Sequence, residues 1–379
     1  MKRAVISDIH ANHAAFEAVL ADIEEQGCED IYCLGDIIGY GPDPRICITL
    51  AGKCALNLLG NHEEAVLFGA IGFNPKAKAA IDWTKEQLYC TPEGQVLLMK
   101  NERSAFEINV GIERSFRKKR QAAWVKLKPD QRRALVRQTI GSNEDPILKP
   151  KVSKGEHAIH RNGYRIEKLI LAGNENQLAL PGLLFIPEKI SRAPVLYLHG
   201  VSMKTDAQPD GPCEQLAKAG HIVLAAELSG IGETETGHDK RDYGRGKFGR
   251  DVQEISLAYL IGRSYVGMRT DDVFRWSEYL AHYGASEKRL SLQLHAIGEA
   301  AIPALHAAAL EPARFELVQL KGMIGSWAEI VAAPVSTDQL VNAVHGALRH
   351  YDLPNLVELT GKNRVKLTDP VDASGKRKD

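Results

Sequence analysis

The stretch RAVISDIHANHAAFEAVL, residues 3–20, reads as a short apolar strand, a polar turn and then a helix. Apolar residues return at helical spacing after Asn12, and the pattern stops at Gly27. The turn holds a carboxylate, Asp8, and an imidazole, His10, just past the strand's carboxyl end. Outward from it the same alternation repeats. DIYCLGD (30–36) is a second buried strand, PRICITLAGK (44–53) a helix, ALNLLGNH (55–62) a third strand and PKAKAAIDWTKEQL (75–88) another helix. Short apolar strands separated by helices imply a parallel sheet, here a β-α-β-α-β lobe over residues 1–88.

All three strand ends carry polar residues: Asp8 and His10; Gly35-Asp36; Gly60-Asn61-His62-Glu63. Ligands of an open parallel sheet gather at the carboxyl ends of its strands, so these residues can converge although they are far apart in sequence. Two carboxylates, an imidazole and an amide oxygen suit divalent ions such as Mn, Fe, Zn or Mg. Asp36 is placed to bridge two ions, the usual clamp for phosphoryl transfer. Any one of these motifs alone is more often a cap or a turn. The three together, each at a strand end, are not.

SDIHANHAAFEAVL (7–20), YCLGDIIGYGPDP (32–44) and LLGNHEEAVL (58–67) closely resemble the calcineurin-like metallophosphoesterases, in the branch with the GDxxGYGPDP loop. The resemblance implies that Asp8, His10 and Asp36 hold one metal, that Asp36 and Asn61 hold a second, and that the catalytic His62 lies near the leaving group. Glu63 stands where the family more often has Asp. Family members continue with His-Gly and Gly-His-Thr-His strand ends that complete the coordination. Here no histidine occurs between His62 and His157. The ligand set is therefore expected to be incomplete, with the source of the missing imidazoles left open. The implied substrate is a small-molecule phosphoester. Half of such a fold leaves a sheet edge unpaired, which a second lobe or a homo-oligomer would cover.

Residues 89–162 change character to a polar, helical, Lys- and Arg-rich segment, with GSNEDPILKPKVSKGEH (141–157) as linker. From residue 163 strands return. YRIEKLIL and LPGLLFIP pair, and APVLYLHG, HIVLAAEL, RLSLQLHAIG and FELVQLKG read as buried parallel strands. APVLYLHGVSMK (193–204), AAELSGIGETE (225–235) and the strand-turn-helix of RLSLQLHAIGEAAIPALHAAALEP (289–312) resemble an acetyl-xylan-esterase-like α/β-hydrolase domain over about 89–379. Its nucleophile elbow needs G-x-S-x-G. Here the run is Ala296-Ile297-Gly298-Glu299-Ala300, so Gly298 takes the serine position and Glu299 follows it. Asp352 is a candidate acid or a helix or turn residue, and His345 and His350 precede it. His199 is expected near the oxyanion loop, and His295 and His306 in the core.

The expected fold class is α/β: a partial metallophosphoesterase lobe followed by an α/β-hydrolase-like parallel sheet domain. With 379 residues the chain is too long for one ordinary core. Lys+Arg and Asp+Glu are equal at 48 each, which argues against a nucleic-acid or anionic-membrane partner. RSFRKKR (114–120) reads as a solvated helix face. Scattered cysteines without CxxC spacing, and no apolar run long enough to span a bilayer, fit a cytoplasmic location. The expected function is a metal-dependent phosphoesterase. The alternatives are an esterase-like hydrolase with a non-serine site, or a non-catalytic scaffold or binding protein built from a chimeric chain.

Overall fold

The computed structural model describes residues 2–89, 94, 99–142, 150–173, 177–235, 251–284 and 289–378. The chain divides into two compact units, Met1–Ala105 and Phe106–Asp379. The first unit contains β1 (Arg3–Ile6), α1 (His13–Glu25), β2 (Asp30–Cys33), α2 (Pro44–Ala51), β3 (Leu56–Asn57), α3 (Asn61–Phe68) and α4 (Pro75–Leu88). Its strands form a parallel sheet in the order β1-β2-β3. Helix α1 starts where Asn12 caps it, its side chain accepting from the Ala15 amide. Phe16 and Ile23 on that helix, with Cys33, Cys47, Ile81 and Val66, make the lobe's core. That core covers the sheet face bearing Ile6 and Cys33. Val5 and Leu56, aligned across Tyr32 on the opposite pleat, are 62% and 46% exposed.

The second unit opens with α5 (Ala105–Trp124, its first residue at the boundary) and α6 (Pro129–Ile140). Most of RSFRKKR is a solvated face of α5, as expected. Arg120 is the exception, buried beside Glu113 and donating to the Leu348 carbonyl. Trp124, Val136 and Ile140 join the second unit's core. The strands are β4 (Val152–Lys154), β5 (Ile159–Arg161), β6 (Tyr164–Leu171), β7 (Leu180–Pro187), β8 (Val195–His199), β9 (Val223–Ala226), β10 (Leu292–Ile297), β11 (Phe315–Lys321) and β12 (Val365–Thr368). Among the described residues they run β12-β11-β10-β8-β9-β7-β6-β4, with β5 on β6. Strands β12 to β9 along that order are mutually parallel, and β7, β6, β4 and β5 attach antiparallel. Part of the expected linker is thus strand β4, because Val152–Lys154 finds an open edge at β6. Residues 143–149 of that linker lie outside the described residues.

Among the described residues the remaining α-helices are α7 (Pro212–Lys218), α8 (Val252–Leu260), α9 (Tyr265–Ala281), α10 (Ala301–Leu310), α11 (Trp327–Ala332) and α12 (Leu353–Thr360). Every residue of α10 is buried, which explains why AIPALHAAAL is apolar all round save one position. That position, His306, is satisfied internally: Nδ1 lies 2.8 Å from the Ile302 carbonyl and Nε2 lies 3.0 Å from the Tyr351 hydroxyl. Cys28, Cys33, Cys47, Cys54 and Cys213 are free thiols. Cys90 lies outside the described residues. Among the described residues no helix is long and apolar enough to cross a membrane.

Candidate metal centre

Beyond β1 and β2 the chain makes two tight turns that lie side by side. The Asp8 amide donates to the Gly35 carbonyl at 3.3 Å, His10 to Asp36 at 2.8 Å and Ala11 to Ile37 at 2.7 Å. These bonds extend the β1–β2 pairing past the strands and set Asp8 and His10 beside Asp36. Ligand atoms of Asp8, His10 and Asp36 all lie within 4.8 Å of one another. Two carboxylates and an imidazole at that spacing form a donor set that a divalent ion fits. The geometry has a backbone cost: Asp8, His10, Ala11, Asp36 and Tyr40 all adopt φ between 50° and 59°. Left-handed backbone at non-glycine residues is uncommon and concentrates at sites where side-chain aim matters.

Asn61 is the first residue of α3, directly after Gly60. A Cβ on Gly60 would lie 2.3 Å from Asp36 Oδ1, and the His62 amide donates to that same oxygen at 2.9 Å. Asn61 is therefore flanked by two residues in contact with Asp36, and it is exposed. Gly35 has the same constraint from the other side. Its φ is +106° and an added Cβ would meet the Gly60 nitrogen at 2.4 Å, so glycine is needed where the second and third strand ends approach.

Two contributors were not assigned roles from the sequence. Glu63 accepts from the amides of Asp36 and Gly60 at 2.8 Å each through Oε2, and from Ile38 at 3.0 Å through Oε1. One carboxylate thus fastens the Asp36 turn to the start of α3. The spacing Gly60-x-x-Glu63 is a capping pattern legible in sequence, but its reach to Asp36 is tertiary. Tyr40 packs edge-on against His10 and at a tilt against His62, at centroid distances of 4.9 and 4.6 Å. His62 is buried, 4.5 Å from the His10 ring and 5.2 Å from Phe73. Desolvation, then the neighbouring His10, pushes its pKa below the usual imidazole range. Its Nδ1 has no partner among the described residues and faces Gly39, where a Cβ would lie 2.2 Å away.

In the second unit Gly298 stands at φ +60° in the tight turn between β10 and α10. A Cβ there would meet nothing within 4 Å. The His199-Gly200 loop runs against this turn, with the Gly200 amide donating to the Ile297 carbonyl at 2.9 Å. His199 Nδ1 accepts from the Val201 amide at 3.1 Å. Glu299 Oε2 lies 3.5 Å from Arg269 Nη1, and that buried guanidinium also bonds Asp251 and the Ser229 carbonyl. Asp352 is the N-cap of α12, accepting from the amides of Trp327 and Leu353 and from the Ser326 hydroxyl. Its Oδ1 is committed to two backbone amides and its Oδ2 to the Ser326 hydroxyl, with Arg120 Nη2 3.9 Å away, which favours the helix-start alternative over the candidate acid. His350 is exposed, and His345 packs on Tyr259.

Residues 1–163 match the family model of the calcineurin-like phosphoesterases. The match runs past Ala105, through the helices that pack with the second unit. An uncharacterized protein of Methanocaldococcus jannaschii is 44% identical over 90 residues, which are 22% of this chain and 35% of that protein. The chain thus spans about a third of the length of this curated relative. A metallophosphoesterase structure from Sphaerobacter thermophilus is 43% identical, covering 24% of this chain and 37% of that one, with a TM-score of 0.21. A crystal structure from Bacteroides fragilis, assigned to the acetyl xylan esterases, covers 72% of this chain and 77% of its own, with 13% identity and a TM-score of 0.54. That likeness is one of fold. The chain thus matches the calcineurin-like phosphoesterase model over residues 1–163 and carries an α/β unit that shares its fold with that esterase structure.

Proposed function

We propose that this protein is a metal-dependent phosphoesterase of the calcineurin-like type with an incomplete ligand set. The observation that supports this is the meeting of Asp8, His10 and Asp36 ligand atoms within 4.8 Å at one end of a parallel sheet. Asp8, His10 and Asp36 would hold one divalent ion, and Asp36 with Asn61 a second. Such ions would supply positive charge against the phosphoryl oxygens of a small-molecule phosphoester. Glu63 keeps Asp36 aimed by holding its backbone from below. With Nδ1 of His62 pressed against Gly39, Nε2 is the ring atom left to face a leaving group. Three side chains and an amide leave both ions short of imidazole ligands, so binding is weak and turnover slow.

The second unit is read as scaffold, because Gly298 offers no nucleophile where the elbow turn is kept. The deciding experiment measures Mn²⁺ binding by titration calorimetry, and hydrolysis of an aryl phosphodiester with and without Mn²⁺, on the parent and on Asp36→Asn. Metal-dependent turnover that Asp36→Asn abolishes supports the proposal. Turnover indifferent to a chelator, or equal in both proteins, overturns it. Metal binding without turnover would leave a binding protein.

A further inference from the structure

A cavity of about 500 Å³ lies in the second unit, walled by Trp327, Ile330, Leu340, Val344 and Leu348, with Asp338 and Gln339 among its polar lining. Neither Gly298 nor Glu299 lines it. Helix α11, which supplies Trp327 and Ile330, follows the carboxyl end of β11, the side of a parallel sheet where small ligands gather. The walls are fixed before any ligand arrives. The Trp327 indole packs against Tyr351 and His306 at 5.6 and 5.7 Å, and its Nε1 donates to the Asn342 carbonyl at 2.8 Å. Asn342 in turn donates to Gln339 at 3.1 Å, and the Tyr259 hydroxyl holds the Ala343 carbonyl at 2.9 Å. The helix wall and the 339–344 wall are therefore tied to each other and to the core. A preformed apolar cavity with a few polar groups is the usual form of a small-molecule site.

Charge says what it takes. Asp338 is exposed at φ +52°, and among the described residues it has no hydrogen-bond or ion-pair partner. Among the described residues no other charged side chain lines the cavity. We propose that this pocket binds an organic cation: an apolar body lies between Trp327 and Val344, and its ammonium group meets the Asp338 carboxylate.

The test uses three probes that share one aromatic body: naphthylmethylammonium, naphthylmethanol and naphthoate. Each is titrated into the full chain by calorimetry, with ligand-detected NMR in parallel. The ammonium binds saturably, about threefold more tightly than the alcohol, a preference in keeping with one exposed ion pair, and the carboxylate binds worst. Asp338→Asn brings ammonium and alcohol level. Val344→Trp fills the cavity and removes binding of all three. Ala343→Trp, at a less buried position on the same wall, does the same if the first variant fails to fold. No saturable binding of any probe overturns the proposal, as does equal or tighter binding of the carboxylate, or binding that survives both tryptophan variants. Light scattering is run alongside. A dimer that dissociates in Ala343→Trp would make this face a contact between copies, and would overturn it too.

Discussion

The metal-ligand turns of the first unit and the elbow turn of the second are built alike and have kept opposite things. Each lies at the carboxyl end of a parallel strand and uses left-handed backbone, at Asp8 and Asp36 in one case, where it aims a side chain, and at Gly298 in the other, where there is none to aim. In the first unit the candidate ligands are present and the surrounding fold is short: among the described residues it has three strands, of which β3 is two residues long. In the second unit the fold is extensive, and glycine stands in the turn between β10 and α10. The lesson is that a scaffold and its chemistry are separable, so each has to be argued from its own residues.

The sharpest way to break this comparison is Asp36→Asn. It removes the one carboxylate in contact with both other strand ends, and Mn²⁺ affinity should fall at least about tenfold, the scale of losing a charged ligand or its support. Calorimetry reads this directly, and an unchanged affinity would place the metal elsewhere. Next comes Glu63→Ala, which strips the acceptor from three backbone amides. A loss of about 2–4 kcal/mol is expected, confined to the first unit's unfolding transition in denaturant. A loss below 0.5 kcal/mol would mean that the turn holds its shape without the clamp.

An acid titration sharpens the contrast from the other side. Burial depresses the pKa values of His295 and His306 to about 4 each, below the 6.5 of the free side chain. Below 6.5 the unfolded chain takes up protons that the folded unit refuses. Stability is therefore whole above that pH, and each group removes roughly 1.4 kcal/mol per pH unit as pH falls from 6.5 toward 4. The second unit's melting temperature should drop through this window. His306→Gln should flatten the slope while lowering the plateau. A slope unchanged in that variant would assign the acid sensitivity to other groups.

The smallest effect is expected at Gly298→Ser. The new Cβ meets open space, and its cost is limited to the left-handed backbone, about 1–2 kcal/mol. Hydrolysis of an aryl acetate should stay at background, because Asp352 is a helix cap and His199 Nδ1 already accepts a backbone amide. Rapid turnover by this variant, lost again on changing His345 or His350, would restore the elbow as a working site.

Much of this was legible from local pattern. The strand-turn-helix of residues 3–20 and the all-apolar AIPALHAAAL both announce their elements, and Asp8, His10 and Asp36 stand at strand ends where convergence follows from parallel topology. What the pattern missed was set by distant partners. Val152–Lys154 became a strand because β6 offered an edge, not because VSK favours one. Asp352 looked like a free carboxylate until Trp327 and Ser326, far back in the chain, claimed its oxygens. Glu63 reads as a helix cap, and nothing local says that it also reaches Asp36. Tyr40 reads as one letter of a turn, although its ring packs at steep angles against two imidazoles.

One of those distant bonds sets a clock. Buried Arg120 donates to the carbonyl of Leu348, 228 residues further on, and its neighbour Glu113 belongs to the same cluster. At synthesis rates of about 5–20 residues per second, that partner emerges roughly 11–46 s after the arginine. Through that interval α5 lacks the carbonyl that will satisfy it, while residues 1–105 have all been made. The nascent chain should therefore acquire protease resistance in two steps, residues 1–105 first and the remainder only after Leu348 has emerged.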